Sequence, residues 1–229
     1  MREYGFMVYK IVRSQRKTLA IHVRYPSVEV RAPYAISERQ IHHFIQEKSA
    51  WIESKLLVQS HKHGERYQIS ENNVIPFMGK TKRILCTKAT RNQVTANEDT
   101  IIIQGPCLDS AKRRSLFEGW LKAQAQVELT TRTHALTHRL GIDSRLTDIK
   151  FRKTKSKWGH CTSQGIVQYN WLILMAPEHV IDYLVTHEVC HLIHLNHSKQ
   201  FWQLVGDIHP TYHESKKWLK EQGHRLWLS

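Results

Sequence analysis

The chain has few cysteines and no long apolar run, and these absences exclude several classes of protein. Its four cysteines are scattered without a C-x-x-C pair, which argues against a disulfide framework or a cysteine-based zinc knuckle. No apolar run approaches the length of a membrane-spanning helix, and the first 17 residues lack the apolar block of a signal peptide. Internal repeats and low-complexity tracts are missing as well. We therefore expect a protein of the reducing cytoplasm that has no membrane partner.

Positive charge, by contrast, is abundant in a sequence of otherwise ordinary globular composition. Of its 229 residues, 41% are hydrophobic and 24% are charged, which allows a sizeable core. Lysine and arginine number 34 against 20 aspartate and glutamate residues, a formal net charge of +14. Such an excess favours a polyanionic partner or substrate, such as nucleic acid or a nucleotide, bound through a basic surface. Solubility explains it equally well, because the charge is spread along the chain.

The segment HEVCH carries the clearest chemical signal. One helical turn separates His187 from His191, so both imidazoles leave the same helix face and can bind one metal ion. Glu188 then lies beside the metal, where its carboxylate can take a proton from the attacking water. With 16 histidines in the chain, such a motif arises by chance in roughly one such sequence in fifteen. Requiring His197 as well lowers that chance to about one in two hundred.

A third metal ligand is expected from the segment after the helix. Asn196 is suited to the left-handed backbone conformation that ends a helix, and a turn there would bring His197 back towards the ion. His194 is the competing candidate, but on a continued helix it would stand in a row with His187 and His191. Three histidines and an open fourth position are the arrangement of a catalytic rather than a structural zinc site.

The pattern of apolar residues predicts an α+β fold with an antiparallel sheet. The expected elements are a hairpin of strands 9–13 and 19–23, a strand at 28–31, a helix from Ser37 to about residue 60, a β-rich segment at 64–105, a helix from Asp109 to about Leu140, strands at 145–157 and 165–175, the metal-binding helix from Pro177 to about Leu195, and two short helices. This order predicts one domain over 1–229, in which 64–105 is a small antiparallel insertion or subdomain.

Residues near the expected metal are candidates for binding substrate. A developing oxyanion needs a second electrophile, for which residue type and neighbourhood suggest Arg152, Lys157, His160, Tyr169 or Tyr183. Trp158 and Gly159 belong with His160 to the W-G-H-C segment that would shape the cleft. The lysines at 153, 155 and 157 would share one face of an extended strand. The strand that precedes the metal helix could also bind an extended peptide along a free edge.

Four segments in order resemble the YgjP-like metallopeptidase family. They are RKTLAIHV at 16–23, KSKWGHC at 155–161, Tyr169-Asn170-Trp171, and HEVCHLIHLNHSKQFW at 187–202. The family is bacterial and cytoplasmic, and it is similar to the SprT-like and WLM zinc proteases. The resemblance spans nearly the whole chain. One departure is His160, which stands where such proteins usually have a small residue, so the substrate preference could differ.

The resemblance implies a zincin-like core and a zinc ion held by His187, His191 and His197, with Glu188 as general base. The leading hypothesis is therefore a zinc-dependent hydrolase of the metallopeptidase class that acts on proteins or peptides. A second is a metal-dependent nucleotide pyrophosphate hydrolase, in which the lysines around 150–157 bind phosphates. A third, from another class, is a non-catalytic nucleic-acid-binding protein with a closed, four-ligand structural zinc.

Overall fold

A computed structural model of the chain describes residues 2–4 and 7–228, and their contacts form two compact units that meet between Arg66 and Tyr67. Six α-helices and three mixed β-sheets make up the regular structure of these residues, which confirms the α+β class. None of the described helices is long and apolar enough to cross a membrane. The single domain predicted over 1–229 stays a prediction.

The first unit contains a four-stranded sheet in the order β1-β2-β4-β3. Its strands are β1 (Arg2–Tyr4), β2 (Met7–Ser14), β3 (Ala20–Arg24) and β4 (Ser27–Pro33). The predicted hairpin of β2 with β3 is wrong, because β4 lies between them, parallel to β2 and antiparallel to β3. Val28, Val30 and Ala32 of β4 are all buried, and a strand with a fully buried face is best placed between two neighbours.

Two helices complete the first unit, α1 (Glu38–Glu47) and α2 (Ser49–Gly64). Ser37 caps α1 as predicted, in a reciprocal capping box with Gln40. The single helix predicted to about residue 60 is interrupted at Lys48, whose backbone leaves helical geometry. Ile41, Ile45 and Ile52 nevertheless pack into the same apolar core.

The second unit begins with a four-stranded sheet in the order β5-β6-β8-β7. Its strands are β5 (Val74–Phe77), β6 (Lys80–Lys88), β7 (Gln93–Ala96) and β8 (Thr100–Gly105). The prediction of a purely antiparallel segment is wrong, since β6 and β8 run parallel while β7 pairs on the far side of β8. Ile84, Ile101 and Ile103 are fully buried and share one apolar core with the helices that follow.

The long helix α3 (Ser110–Arg139) crosses this core. The Asp109 side chain accepts a hydrogen bond from the Lys112 N–H at its start, and Gly141, with φ +66°, follows its end, as predicted. Phe117, Leu121, Ala125 and Leu129 repeat every four residues along its buried face.

A small three-stranded sheet in the order β10-β11-β9 leads to the metal-binding helix. Its strands are β9 (Asp148–Phe151), β10 (Gly159–Cys161) and β11 (Ile166–Tyr169). The strand predicted over 145–157 ends at Phe151, so Lys153, Lys155 and Lys157 lie beyond it and do not share a strand face. The strand predicted to residue 175 also stops early, because Trp171–Met175 form a buried 3₁₀ turn capped by the Asn170 side chain.

Three helices follow: α4 (Glu178–Cys190), α5 (Lys199–Ile208) and α6 (Tyr212–Gln222). The metal-binding helix was predicted to continue to about Leu195, but it ends at Cys190. Tight turns replace it, in which the Leu192 N–H donates to the Val189 carbonyl and the Ile193 N–H to the Cys190 carbonyl, each at 3.0 Å. The predicted left-handed conformation at Asn196 is not formed, because these turns have already redirected the chain.

Candidate metal centre

The end of α4 and the start of α5 bring three histidines together. His187 lies in the last turn of α4, and His191 follows the helix with near-helical backbone angles, φ −67° and ψ −18°. The one-turn spacing of the two imidazoles is therefore kept although the helix stops. His197 directly precedes Ser198, whose hydroxyl caps α5 by accepting from the Phe201 N–H at 3.3 Å. The cap positions the backbone beside His197.

The Nε2 atoms of the three histidines converge on one point. Nε2 of His197 lies 3.1 Å from Nε2 of His187 and 3.2 Å from Nε2 of His191. Ligand nitrogens that surround a tetrahedral zinc ion at 2.0–2.1 Å are separated from one another by about 3.3 Å. The described residues therefore fit a single metal ion, and no other group of His, Cys, Asp or Glu side chains among them has this geometry.

The protonation of these histidines suits metal binding. Burial, together with the charges of His191 and His197, lowers the pKa of His187 to about 3, and burial also lowers the pKa of His191. Both imidazoles are thus neutral near pH 7, the form that binds a metal. Nδ1 of His191 lies 2.9 Å from the carbonyl oxygen of His194. Since a carbonyl only accepts, Nδ1 donates and Nε2 keeps its lone pair for the ion. His194 thus contributes its backbone rather than its side chain.

Glu188 lies beside this point in a nearly closed environment. Its side chain is 4% exposed, and Oε2 is buried without a hydrogen-bond partner. Burial raises the pKa of Glu188 to about 8, against the opposing effect of the Lys157 charge. A buried carboxylate oxygen without a partner is costly, and a water molecule held between Glu188 and a metal ion would satisfy it. The carboxylate therefore fits the role of a proton acceptor near neutral pH.

Gly159 determines the space that the Glu188 carboxylate occupies. A β-carbon built at Gly159 would lie 2.5 Å from Cδ and 2.6 Å from Cγ of Glu188, and it would overlap Oε1. These separations are far below van der Waals contact. Any side chain at this position of β10 would therefore displace the carboxylate.

A cleft of about 240 Å³ opens beside the metal centre. Besides the three histidines and Glu188, its walls are formed by Lys157, Gly159, His160, Cys161 and Leu195. Three of the residues that the sequence suggested for substrate binding, Lys157, Gly159 and His160, therefore face it. Tyr183 is mostly buried beside His187, with ring centroids 5.7 Å apart.

The remaining candidates lie elsewhere. Tyr169 is fully buried, and its hydroxyl lies 2.9 Å from the Thr133 hydroxyl, so it packs in the core. Trp158 packs against Trp227 with ring centroids 5.5 Å apart. Arg152 extends from the end of β9 and is not part of the cleft wall.

Phe201 is a residue of the site that sequence reasoning missed. Its side chain is fully buried, and its ring centroid lies 5.0, 4.4 and 4.9 Å from those of His187, His191 and His197. Trp202 stacks on His197 at 5.5 Å and an angle of 21°. The only signal in the sequence is the pair Phe-Trp in the first turn of the helix after His197. These rings hold the imidazoles in the orientations that a metal requires.

Comparisons with known proteins point in the same direction. A family model described as YgjP-like, metallopeptidase domain, matches residues 17–222. The chain is also similar to a UTP pyrophosphatase of Escherichia coli strain K12, with 28% identity over 104 residues. That match covers 45% of this chain and 55% of the relative, so the chain spans about half the length of the curated protein it matches.

Replacing Gly159 by alanine should disable the carboxylate without removing the metal. In Gly159→Ala the added methyl group displaces Glu188, so we expect hydrolysis of peptide or nucleotide substrates to fall by about 100-fold or more. Zinc affinity should stay near the wild-type value, because the methyl group meets Glu188 rather than a histidine. Gly119→Ala is the matched control, since a β-carbon there meets only open space. Full activity of Gly159→Ala would contradict the proposed contact.

Shortening Phe201 should weaken metal binding. In Phe201→Leu the flat ring that contacts all three imidazoles is lost while an apolar side chain remains. We expect zinc affinity, measured by competition with a chromophoric chelator, to fall by about 10- to 100-fold. Phe117→Leu, at a fully buried position on α3, controls for a general loss of stability. Equal zinc affinity in Phe201→Leu and the wild type would show that the ring does not orient the ligands.

Proposed function

This chain belongs to the YgjP-like metallopeptidase family, and we propose that it acts as a zinc-dependent peptidase with Glu188 as general base. Membership of the family makes it a metal-dependent hydrolase, and the proposal concerns its metal and the bond that it cleaves. The observation that carries the proposal is the meeting of three imidazole nitrogens beside a buried carboxylate whose Oε2 has no hydrogen-bond partner.

The residues of the centre divide the chemistry between them. A zinc ion held by His187, His191 and His197 would lower the pKa of a coordinated water and polarise the bond to be cleaved. Glu188 accepts the proton of the attacking water and returns it to the leaving group. Its raised pKa suits both transfers near neutral pH. Gly159 keeps the carboxylate in place.

The edge strand β10 supports a peptide as substrate. It pairs with β11 on one side and is the last strand of its sheet. All three of its residues, Gly159, His160 and Cys161, line the metal cleft. An extended peptide can add to such an edge through backbone hydrogen bonds, which would lay its scissile bond across the metal.

A nucleotide pyrophosphate hydrolase is the second candidate. The relative named UTP pyrophosphatase favours it, as does Lys157, a cation in the wall of the metal cleft. A lysine at this place can bind phosphate oxygens, and the net charge of +14 favours anionic substrates. The same Glu188 and metal would then activate water for attack on a phosphorus atom.

The hypothesis of a structural zinc in a nucleic-acid-binding protein receives less support. A structural site needs four protein ligands, whereas only three His, Cys, Asp or Glu side chains of the described residues converge. The His194 side chain does not join them. The four cysteines are all free thiols, and with them we propose a location in a reducing compartment, the cytoplasm.

Glu188→Gln separates metal binding from catalysis. The amide keeps the shape of the side chain but cannot accept the proton of water, so turnover should fall by about 100- to 10,000-fold while zinc remains bound. We would measure zinc content and the hydrolysis of a peptide library and of UTP. Glu221→Gln, an exposed glutamate of α6, is the matched control.

The substrates hydrolysed in that experiment decide between the candidates. Peptide cleavage that depends on Glu188 supports the peptidase, and Glu188-dependent hydrolysis of UTP alone selects the nucleotide hydrolase. Undiminished turnover in Glu188→Gln would rule out the proposed mechanism for both.

A further inference from the structure

A second cavity adjoins the metal cleft. Its volume is about 450 Å³, and His191 and Leu195 belong to the walls of both. The other walls come from the ranges 144–147, 162–165 and 191–195. A substrate that extends past the metal on this side would enter the cavity directly.

Hydrogen bonds hold the walls of this cavity in place. The Thr147 hydroxyl donates to the Gln164 carbonyl at 2.7 Å, and the Thr147 N–H donates to the Gly165 carbonyl at 2.9 Å. On the opposite side, Nη1 of Arg145 donates to the Leu192 carbonyl at 3.1 Å, which ties this wall to the turn after α4. The cavity is therefore formed before any substrate arrives.

The chemistry of the walls suits an oxyanion. Arg145 is the only lysine, arginine, aspartate or glutamate that lines the cavity, and it makes no ion pair with a described carboxylate. Its bond to Leu192 uses one of five N–H donors, so others remain for an anion. Thr162 and Ser163 add hydroxyl groups that can donate to the same anion.

We propose that the Arg145 cavity is a second substrate subsite, which binds a carboxylate or phosphate group of the substrate next to the bond at the metal. The inference rests on the proposed hydrolase function of the metal cleft. For a peptide, the bound group would be the C-terminal carboxylate. For a nucleotide, it would be a phosphate beyond the cleaved bond. Both present oxygens that the Arg145 guanidinium can bind in pairs.

Pairs of substrates that differ by one anionic group test the subsite. We would compare a peptide with a free C-terminus against its C-terminal amide, and UTP against UDP, using the zinc-loaded enzyme. In Arg145→Gln, KM for the more anionic member should rise about 10- to 100-fold while kcat and the values for the other member change little. Whichever pair responds identifies the source of the anion. Equal changes for both members of each pair would overturn the proposal.

Further variants separate charge from folding. Arg145→Lys keeps the charge and should recover part of the loss. Ser163→Asp leaves Arg145 intact but adds a repelling charge, so it should also raise KM for the anionic member. Arg139→Gln makes the same charge change at an exposed position at the end of α3 and should behave as the wild type. KM unaffected by both Arg145→Gln and Ser163→Asp would refute the subsite.

Binding of inorganic phosphate makes the result independent of turnover. Phosphate should shift the thermal unfolding of the zinc-loaded wild type, and the shift should shrink in Arg145→Gln and Ser163→Asp. A protein that binds phosphate in this way without hydrolysing peptides or UTP would refute the proposed function and keep the subsite. Equal phosphate affinity in wild type and both variants would refute the subsite alone.

Discussion

The metal centre depends on the abrupt change of chain direction that follows His191. Had the helix continued, six more residues would have carried the chain about 9 Å along the axis, away from the other ligands. Turns at Leu192 and Ile193 stop it, and the His194 carbonyl accepts from the His191 imidazole. Arg145 holds the Leu192 carbonyl from outside. The bonds that end the helix thus also orient a ligand and form the wall of a second cavity.

The position of the Glu188 carboxylate depends on a second constraint, the register of the small sheet. Gly159 faces Glu188 because β10 pairs with β11 so that Gly159 lies opposite Tyr169. Tyr169 in turn is anchored by its hydroxyl, 2.9 Å from that of Thr133 on the long helix α3. Since Tyr169 is fully buried, its role is to position the strand. A residue that resembles a catalytic acid in sequence serves the site from within the core.

Electrostatics connect the cleft with the basic composition of the chain. Glu188 is the only carboxylate that lines the metal cleft or the cavity beside it, whereas Lys157 lies on one side and Arg145 on the other. A metal ion would add further positive charge between them. Anionic groups on both sides of a scissile bond would therefore be attracted to this region, and a peptide terminus or a chain of phosphates has that form.

Signals that lie within a few residues were readable from the sequence alone: the spacing of HEVCH, the caps at Ser37 and Asp109, the long helix and the α+β class. They depend on local geometry, which a short stretch of chain determines by itself. Only the tertiary structure decided the place of β4 between β2 and β3, the end of α4 at Cys190, and the burial of Tyr169 away from the cleft. It also decided that Phe201 contacts three histidines. These features depend on contacts between residues distant in sequence, and a pattern of neighbouring residues does not contain them.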